Sequence, residues 1–158
     1  MSTRSASAAA RVAATPDVVF PRLRAHDPAR FYPRWGVLPA VVEVRHQTGP
    51  WDAAGRTRTL VLSDGGTLVE TLVSAEEPLF AYELSAFTGL FGRLVAGGRS
   101  EWRVVREGAG SSIAWTYAFT PLPGRGAIVA AIVRLAWGPY MRRVLPRIAG
   151  WTAGPADG

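Results

Sequence analysis

Gly126-Ala-Ile-Val-Ala-Ala-Ile-Val-Arg-Leu-Ala-Trp-Gly-Pro-Tyr-Met-Arg-Arg-Val-Leu145 is the stretch whose reading decides the fold. Apolar residues recur at Ile128, Ala131, Ile132, Leu135 and Ala136, then at Met141, Val144 and Leu145, the spacing of one helical face. A helix is therefore expected from Gly126 to about Ile148. Its first half is apolar nearly all round and is expected to be buried on more than one side. Its second half sets Arg142, Arg143 and Arg147 opposite the apolar face, toward solvent and the negative end of the helix dipole. Pro139 lacks an N–H donor and is expected to kink the helix, with Gly138 easing the bend. Arg134 and the Gly138-Pro139 pair interrupt a run that would need roughly 20 apolar residues to span a bilayer. No integral membrane association is expected.

Upstream, the chain reads as strands. Val41–Gln47 is one, closed by Gly49-Pro50. Arg56–Leu62 and Gly66–Ser74 form a hairpin about Ser63-Asp64-Gly65, with Gly65 in the left-handed position after a type I turn. That loop pairs Leu62 with Gly66, Leu60 with Leu68 and Arg58 with Glu70. Alternation then puts the leucines, Arg58 and Glu70 on the inner face and Thr57, Thr59, Val61, Thr67, Val69, Thr71 and Val73 on the outer one. Leu79–Ser85 follows, with Phe80, Tyr82 and Leu84 sharing a face. Ser100–Glu107 shows Trp102 and Val104 together. Ser111–Thr120 alternates Ile113, Trp115, Tyr117 and Phe119 with small residues. Near the start, residues 5–13 suggest a strand of small side chains. Thr15-Pro16-Asp17 opens a helix that turns Val18, Val19 and Leu23 inward and carries Pro21 inside it. Asp27-Pro28 opens a second, short helix through Phe31 and Tyr32.

The chain of 158 residues, 48% hydrophobic and 19% charged, has the composition of one globular domain, expected over residues 1–151 with a tail over 152–158. There is no cysteine, which excludes disulfides and thiolate metal sites. The Ala/Ser stretch to Ala14 has no continuous apolar block and makes a poor signal peptide, so a cytoplasmic location is expected. All 18 basic residues are Arg, and the net charge is +6. They are scattered rather than gathered into a stripe, so no nucleic-acid partner is expected. His26 and His46 stand alone, at the surface or rim, and no metal or other cofactor is expected. Gly-x-Ser-x-Gly and lysine-dependent phosphate loops are absent, and Gly124-Arg125-Gly126 is read as a tight turn.

The order strand, two short helices, meander and long closing helix resembles the SRPBCC superfamily, the START-related helix-grip proteins that include the polyketide cyclase/dehydrase group. The residues that carry the resemblance are Thr15-Pro16-Asp17-Val18-Val19-Phe20, Gly55-Arg56-Thr57-Arg58-Thr59-Leu60 leading to Asp64-Gly65, Glu70-Thr71-Leu72, Tyr82 and Ile113-Ala114-Trp115. The small residues of the first strand and Pro21 depart from the pattern. The resemblance implies an α+β helix-grip fold: a curved antiparallel sheet of six to seven strands wrapped around the C-terminal helix, with a hydrophobic cavity between them.

Several residues are expected around that cavity. The hairpin contributes Arg58, Leu60, Glu70 and Leu72, and the following strand contributes Tyr82 and Leu84. Trp102, Trp115, Tyr117 and Phe119 come from the last strands, and Ile128, Ile132 and Leu135 from the helix. Arg58 and Glu70 read either as a polar anchor for a ligand or as an ion pair that fixes register. The aromatics read either as cavity lining or as packed core. Phe87, Leu90, Phe91, Leu94 and Val95 fall at helical spacing before Gly97-Gly98, and suggest an apolar lid hinged at those glycines, a fixed cap, or a homodimer contact. Carriage or sensing of a hydrophobic small molecule, such as a lipid or polyketide, is the leading expectation. A cyclase, aromatase or dehydratase using Arg58, Glu70 and Tyr82 is the alternative. Against it, pairing with Arg58 is expected to lower the pKa of Glu70 and leave it a poor base. An interaction module using the Phe87–Val95 surface is the third.

Overall fold

The computed structural model describes residues 2–154; of the expected tail, residues 155–158 lie outside the described residues. The chain runs β1 (Arg4–Val12), α1 (Pro16–Ala25), α2 (Pro28–Phe31), β2 (Val41–Arg45), β3 (Thr57–Leu62), β4 (Thr67–Glu76), β5 (Leu79–Ser85), α3 (Gly89–Gly92), β6 (Val95–Glu107) and β7 (Gly110–Pro121). The C-terminal helix follows as α4 (Gly126–Ile132), a π turn (Val133–Trp137) and α5 (Gly138–Thr152). Seven antiparallel strands form one sheet in the order β1-β7-β6-β5-β4-β3-β2. Short turns keep sequential strands adjacent, and β1 adds to the far side of β7.

The β3–β4 register follows from its turn. Gly65 takes φ 87°, and the Leu62 N–H donates to Gly66 O at 2.8 Å. The Asp64 side chain accepts from the Gly66 N–H at 2.8 Å. Leu60 then faces Leu68, and Arg58 faces Glu70. All four are buried, while Thr57, Thr59, Val61, Thr67, Val69 and Thr71 are half-buried and Val73 is exposed.

β1 is small for a packing reason. Ala6, Ala8 and Ala10 lie against the core, and a Cβ built on Gly138 would come within 3.6 Å of the Ala6 Cβ. Small side chains thus let the C-terminal helix lie close over the sheet.

At the centre Trp102 and Trp115, both fully buried, stack with ring centroids 4.2 Å apart. The Trp115 Nε1–H donates to Ser100 Oγ at 2.9 Å. Burial of each such ring contributes roughly 2–3 kcal/mol.

Four expectations about packing change. Val18 is 43% exposed while Val19, Phe20 and Leu23 carry the α1 contact. His26 is buried, because α1 ends there and its side chain turns under the sheet toward Tyr32 and Trp102. Gly97-Gly98 lie inside β6, paired with Thr120 and Phe119, and so are not a hinge. A Cβ on Gly98 would stand 3.1 Å from Ala118 O, which is why glycine sits there. In the C-terminal helix, the inward residues of the first half are Val129 and Val133, whereas Ile128 is 48% and Leu135 71% exposed. A segment that is apolar all round carries no phase, so composition could not choose between these faces. The π turn lies directly before Gly138-Pro139, where the missing proline N–H disturbs the α-helical ladder. Pro146 is also accommodated within α5. Among the described residues no helix is long and apolar enough to cross a membrane.

Candidate functional site

The β3–β4 hairpin has an opening at each end. At its turn, the Thr88 N–H donates to Thr67 O at 2.9 Å and the Thr67 N–H to Thr88 Oγ1 at 2.8 Å. These bonds hold the segment after β5 against the hairpin tip. Further along, the Leu122 N–H donates to Leu94 O at 2.9 Å and Arg125 Nε–H to Arg93 O at 3.2 Å. Between those two anchorages lies α3, a single turn. Glycine is required at both its ends, since Gly89 takes φ 71° and a Cβ on Gly92 would come within 2.5 Å of Phe87 O. Leu90 is 54% exposed, and Phe87 and Phe91 are half-buried.

Beneath α3 is an apolar cavity of about 60 Å³, lined by Phe87, Phe91 and Leu94 on one side, Tyr117 and Phe119 of β7, and Val129, Ile132, Val133 and Trp137 of the helix, with Leu38 and Val95 closing it. Among the described residues the Trp137 Nε1–H has no acceptor. Its ring meets Tyr117 edge-on at 4.8 Å and Phe119 at 5.5 Å. Burial pushes the Tyr117 phenol well above its ordinary pKa, so it stays protonated.

Of the residues expected around a cavity, Phe87, Phe91, Tyr117, Phe119 and Ile132 meet here. Leu60, Leu72, Leu84, Trp102 and Trp115 are buried core away from it, and Ile128 and Leu135 face outward. Sequence reasoning missed Leu38, Val129, Val133 and Trp137. Leu38 sits in an irregular connection with no periodicity to read, and the helix residues were lost with the helix phase. Leu94 and Val95 were part of the apolar 87–95 pattern, which was the signal available.

At the open end of the hairpin, Arg58 Nε–H donates to Glu70 Oε1 at 2.8 Å, with the two side chains 5% and 4% exposed. Trp51 covers the guanidinium, whose carbon lies 4.0 Å from the ring centroid. Burial lifts the Glu70 carboxyl above the usual carboxylate range; the pull of Arg58 in the other direction is smaller. This reverses the expected lowering, because water exclusion around both groups outweighs their attraction. Neither Glu70 nor Tyr82 lines an opening described here, and Arg58 lines a second one, about 400 Å³, between α1–α2 and the Gln47–Asp52 loop. The Tyr82 hydroxyl accepts from Trp102 Nε1–H at 3.4 Å, and burial raises its pKa. His26 bonds Leu23 O through Nδ1 and Tyr32 through Nε2 at 3.2 Å, and burial holds its pKa down to about 4. Among the described residues no three His, Asp or Glu side chains gather into a metal site.

The pattern of polyketide cyclase / dehydrase and lipid transport proteins matches residues 3–150. The chain belongs to that family. It thus falls in the SRPBCC superfamily that its motifs resemble, with the ligand-binding helix-grip architecture. No curated protein matches this family member. Among solved structures it is similar to norcoclaurine synthase from Thalictrum flavum in complex with dopamine and hydroxybenzaldehyde, at 15% identity and a TM-score of 0.66, over 94% of this chain and 84% of that one. It is similar to the protein TTHA0849 from Thermus thermophilus, at 12% identity and a TM-score of 0.67, over 92% and 94%. Ara h 8.0201 matches at 12% identity and a TM-score of 0.64, over 96% and 98%. These likenesses concern the fold.

Proposed function

We propose that this protein binds and carries a hydrophobic small molecule, of the lipid or polyketide kind, beneath α3. The observation that carries the reading is the lining of that cavity: aliphatic and aromatic on every side, with one indole N–H lacking an acceptor. Such a wall selects apolar bodies, and Trp137 gives a ligand carbonyl or hydroxyl somewhere to bond. The cavity of about 60 Å³ is far below the roughly 300–1,000 Å³ that holds a drug-sized ligand. Loading therefore requires Phe87 and Phe91 to swing out, carried by the α3 turn between its two anchorages. The test is native mass spectrometry of the purified chain, together with titration of N-phenyl-1-naphthylamine. Carriage predicts a retained apolar adduct and dye binding that Val133→Trp, filling the cavity, abolishes. Equal dye binding by Val133→Trp overturns it.

The enzymatic alternative has one observation in its favour. The Glu70 carboxyl is raised, which brings it nearer the range of a proton shuttle at neutral pH. In that reading Arg58 steadies an enolate oxygen and Tyr82 donates a hydrogen bond. Its weakness is placement, since none of the three lines the apolar cavity. Turnover of a poly-β-ketone that Glu70→Gln abolishes would favour it over carriage.

A further inference from the structure

We infer that the opening at Arg58 is a second binding site, for a small monocarboxylate with a short apolar tail, held by the terminal nitrogens of the Arg58 guanidinium. The inference is independent of the apolar cavity, which lies at the other end of the β3–β4 hairpin.

Arg58 is a buried cation whose hydrogen bonding is incomplete. Its guanidinium carries five N–H groups. Only Nε–H has an acceptor among the described residues, Glu70 Oε1 at 2.8 Å. The surface that Arg58 retains lines the opening of about 400 Å³. Beside it, the Trp51 Nε1–H is buried and also lacks an acceptor. The Arg58 terminal nitrogens thus face the opening beside one buried donor that lacks an acceptor, and the two converging there point to an acceptor that arrives from outside.

The walls define that acceptor. A guanidinium edge fits the two coplanar oxygens of a carboxylate. Arg24 and Arg58 are offset by Asp27 and Asp52 in the same lining, and Glu70 stands behind Arg58. His26, also in the lining, is neutral near pH 7, with its pKa held down to about 4. The lining charges cancel, so only the local positive edge of Arg58 is offered to a single carboxylate, and a dianion such as phosphate meets no net attraction. Pro21, Ala25, Pro28, Val44 and Pro50 supply the apolar remainder of the wall, room for a short hydrocarbon or ring. Arg24 is only half-buried and turns toward Ala75 O, to which its Nη1–H donates at 3.0 Å, whereas Arg58 is buried and fixed by Glu70 and Trp51, which makes Arg58 the anchor.

The experiment is a titration of the full chain with benzoate, benzamide and inorganic phosphate, followed by the indole N–H resonance of Trp51 and the guanidinium resonances of Arg58. Benzoate is expected to shift both, with benzamide and phosphate at least tenfold weaker. The double variant Arg58→Gln/Glu70→Gln keeps a neutral hydrogen-bonding pair and is expected to lose benzoate affinity at least tenfold. Trp51→Phe keeps the ring over Arg58 and is expected to weaken benzoate a few-fold, a readout that stands even if the double variant fails to fold. N-phenyl-1-naphthylamine is expected to bind as before with benzoate present, which separates this site from the apolar one. No shift with benzoate, equal binding of benzamide, or tighter binding of phosphate each overturns the inference.

Discussion

The two ends of the β3–β4 hairpin solve opposite problems. At the turn, the chain encloses apolar walls around a small void and covers it with a single helical turn whose Leu90 faces water. At the open end it buries a charged pair and covers it with the indole of Trp51. The first region is cheap to disturb, since few contacts hold α3 between Thr88 and Arg93. The second is costly, since a buried ion left alone has no water to turn to. A difference in stability and a difference in function are therefore expected to run in opposite directions along one hairpin.

The strongest way to break this contrast is to remove one ion. Arg58→Met alone, or Glu70→Leu alone, is expected to destabilise the fold by about 3–5 kcal/mol in urea unfolding, whereas the two together cost markedly less. Equal costs for the single and double variants would show that the pair is not the strained element.

The buried histidine sharpens the same contrast. With its folded pKa near 4 against an ordinary 6.5, His26 takes up its proton more readily in the unfolded chain. Its contribution to stability is present above pH 6.5 and is lost as pH falls toward 4, about 3 kcal/mol in all. Unfolding at about pH 7 and about pH 4.5 measures it, across the window set by the two pKa values, and His26→Gln is expected to flatten that slope.

At the apolar end the effects on stability shrink and those on binding grow. Phe91→Ala removes a half-buried ring and is expected to cost about 1–2 kcal/mol, while changing the dissociation rate of a bound dye several-fold. Smallest of all, Leu135→Gln is expected to shift stability by no more than about 0.5 kcal/mol, because the side chain is 71% exposed. Val133→Ala, two residues earlier, is expected to cost more than that, and equal effects would contradict the helix phase.

Much of the fold was legible because turns and alternation carry absolute information. Asp64-Gly65 fixed where the chain reverses, and from there Arg58 had to meet Glu70. Ser111–Thr120 announced its faces by itself. The apolar site was only half legible, for a physical reason. Tyr117 and Phe119 were readable from strand alternation, but a helix apolar on all sides offers no contrast from which to read a face, so its pattern pointed to Ile128 and Leu135 rather than to Val129 and Trp137. Gly97-Gly98 looked like a hinge because sequence shows that a side chain is absent, not that a neighbouring strand forbids one. His26 and the raised carboxyl of Glu70 depended on burial in three dimensions, which no local pattern encodes.

The wide turn at Val133–Trp137 amounts to one surplus residue spliced into an otherwise regular rod. A turn of that width takes up the surplus residue locally, so the rods on either side of it keep their own faces. Val129 and Ile132 reach the cavity wall before it, and Met141, Val144 and Ile148 sit in the core after it. Removing one residue there is expected to rewind the turn and leave both faces in place, so this is a point at which the helix tolerates a change of chain length.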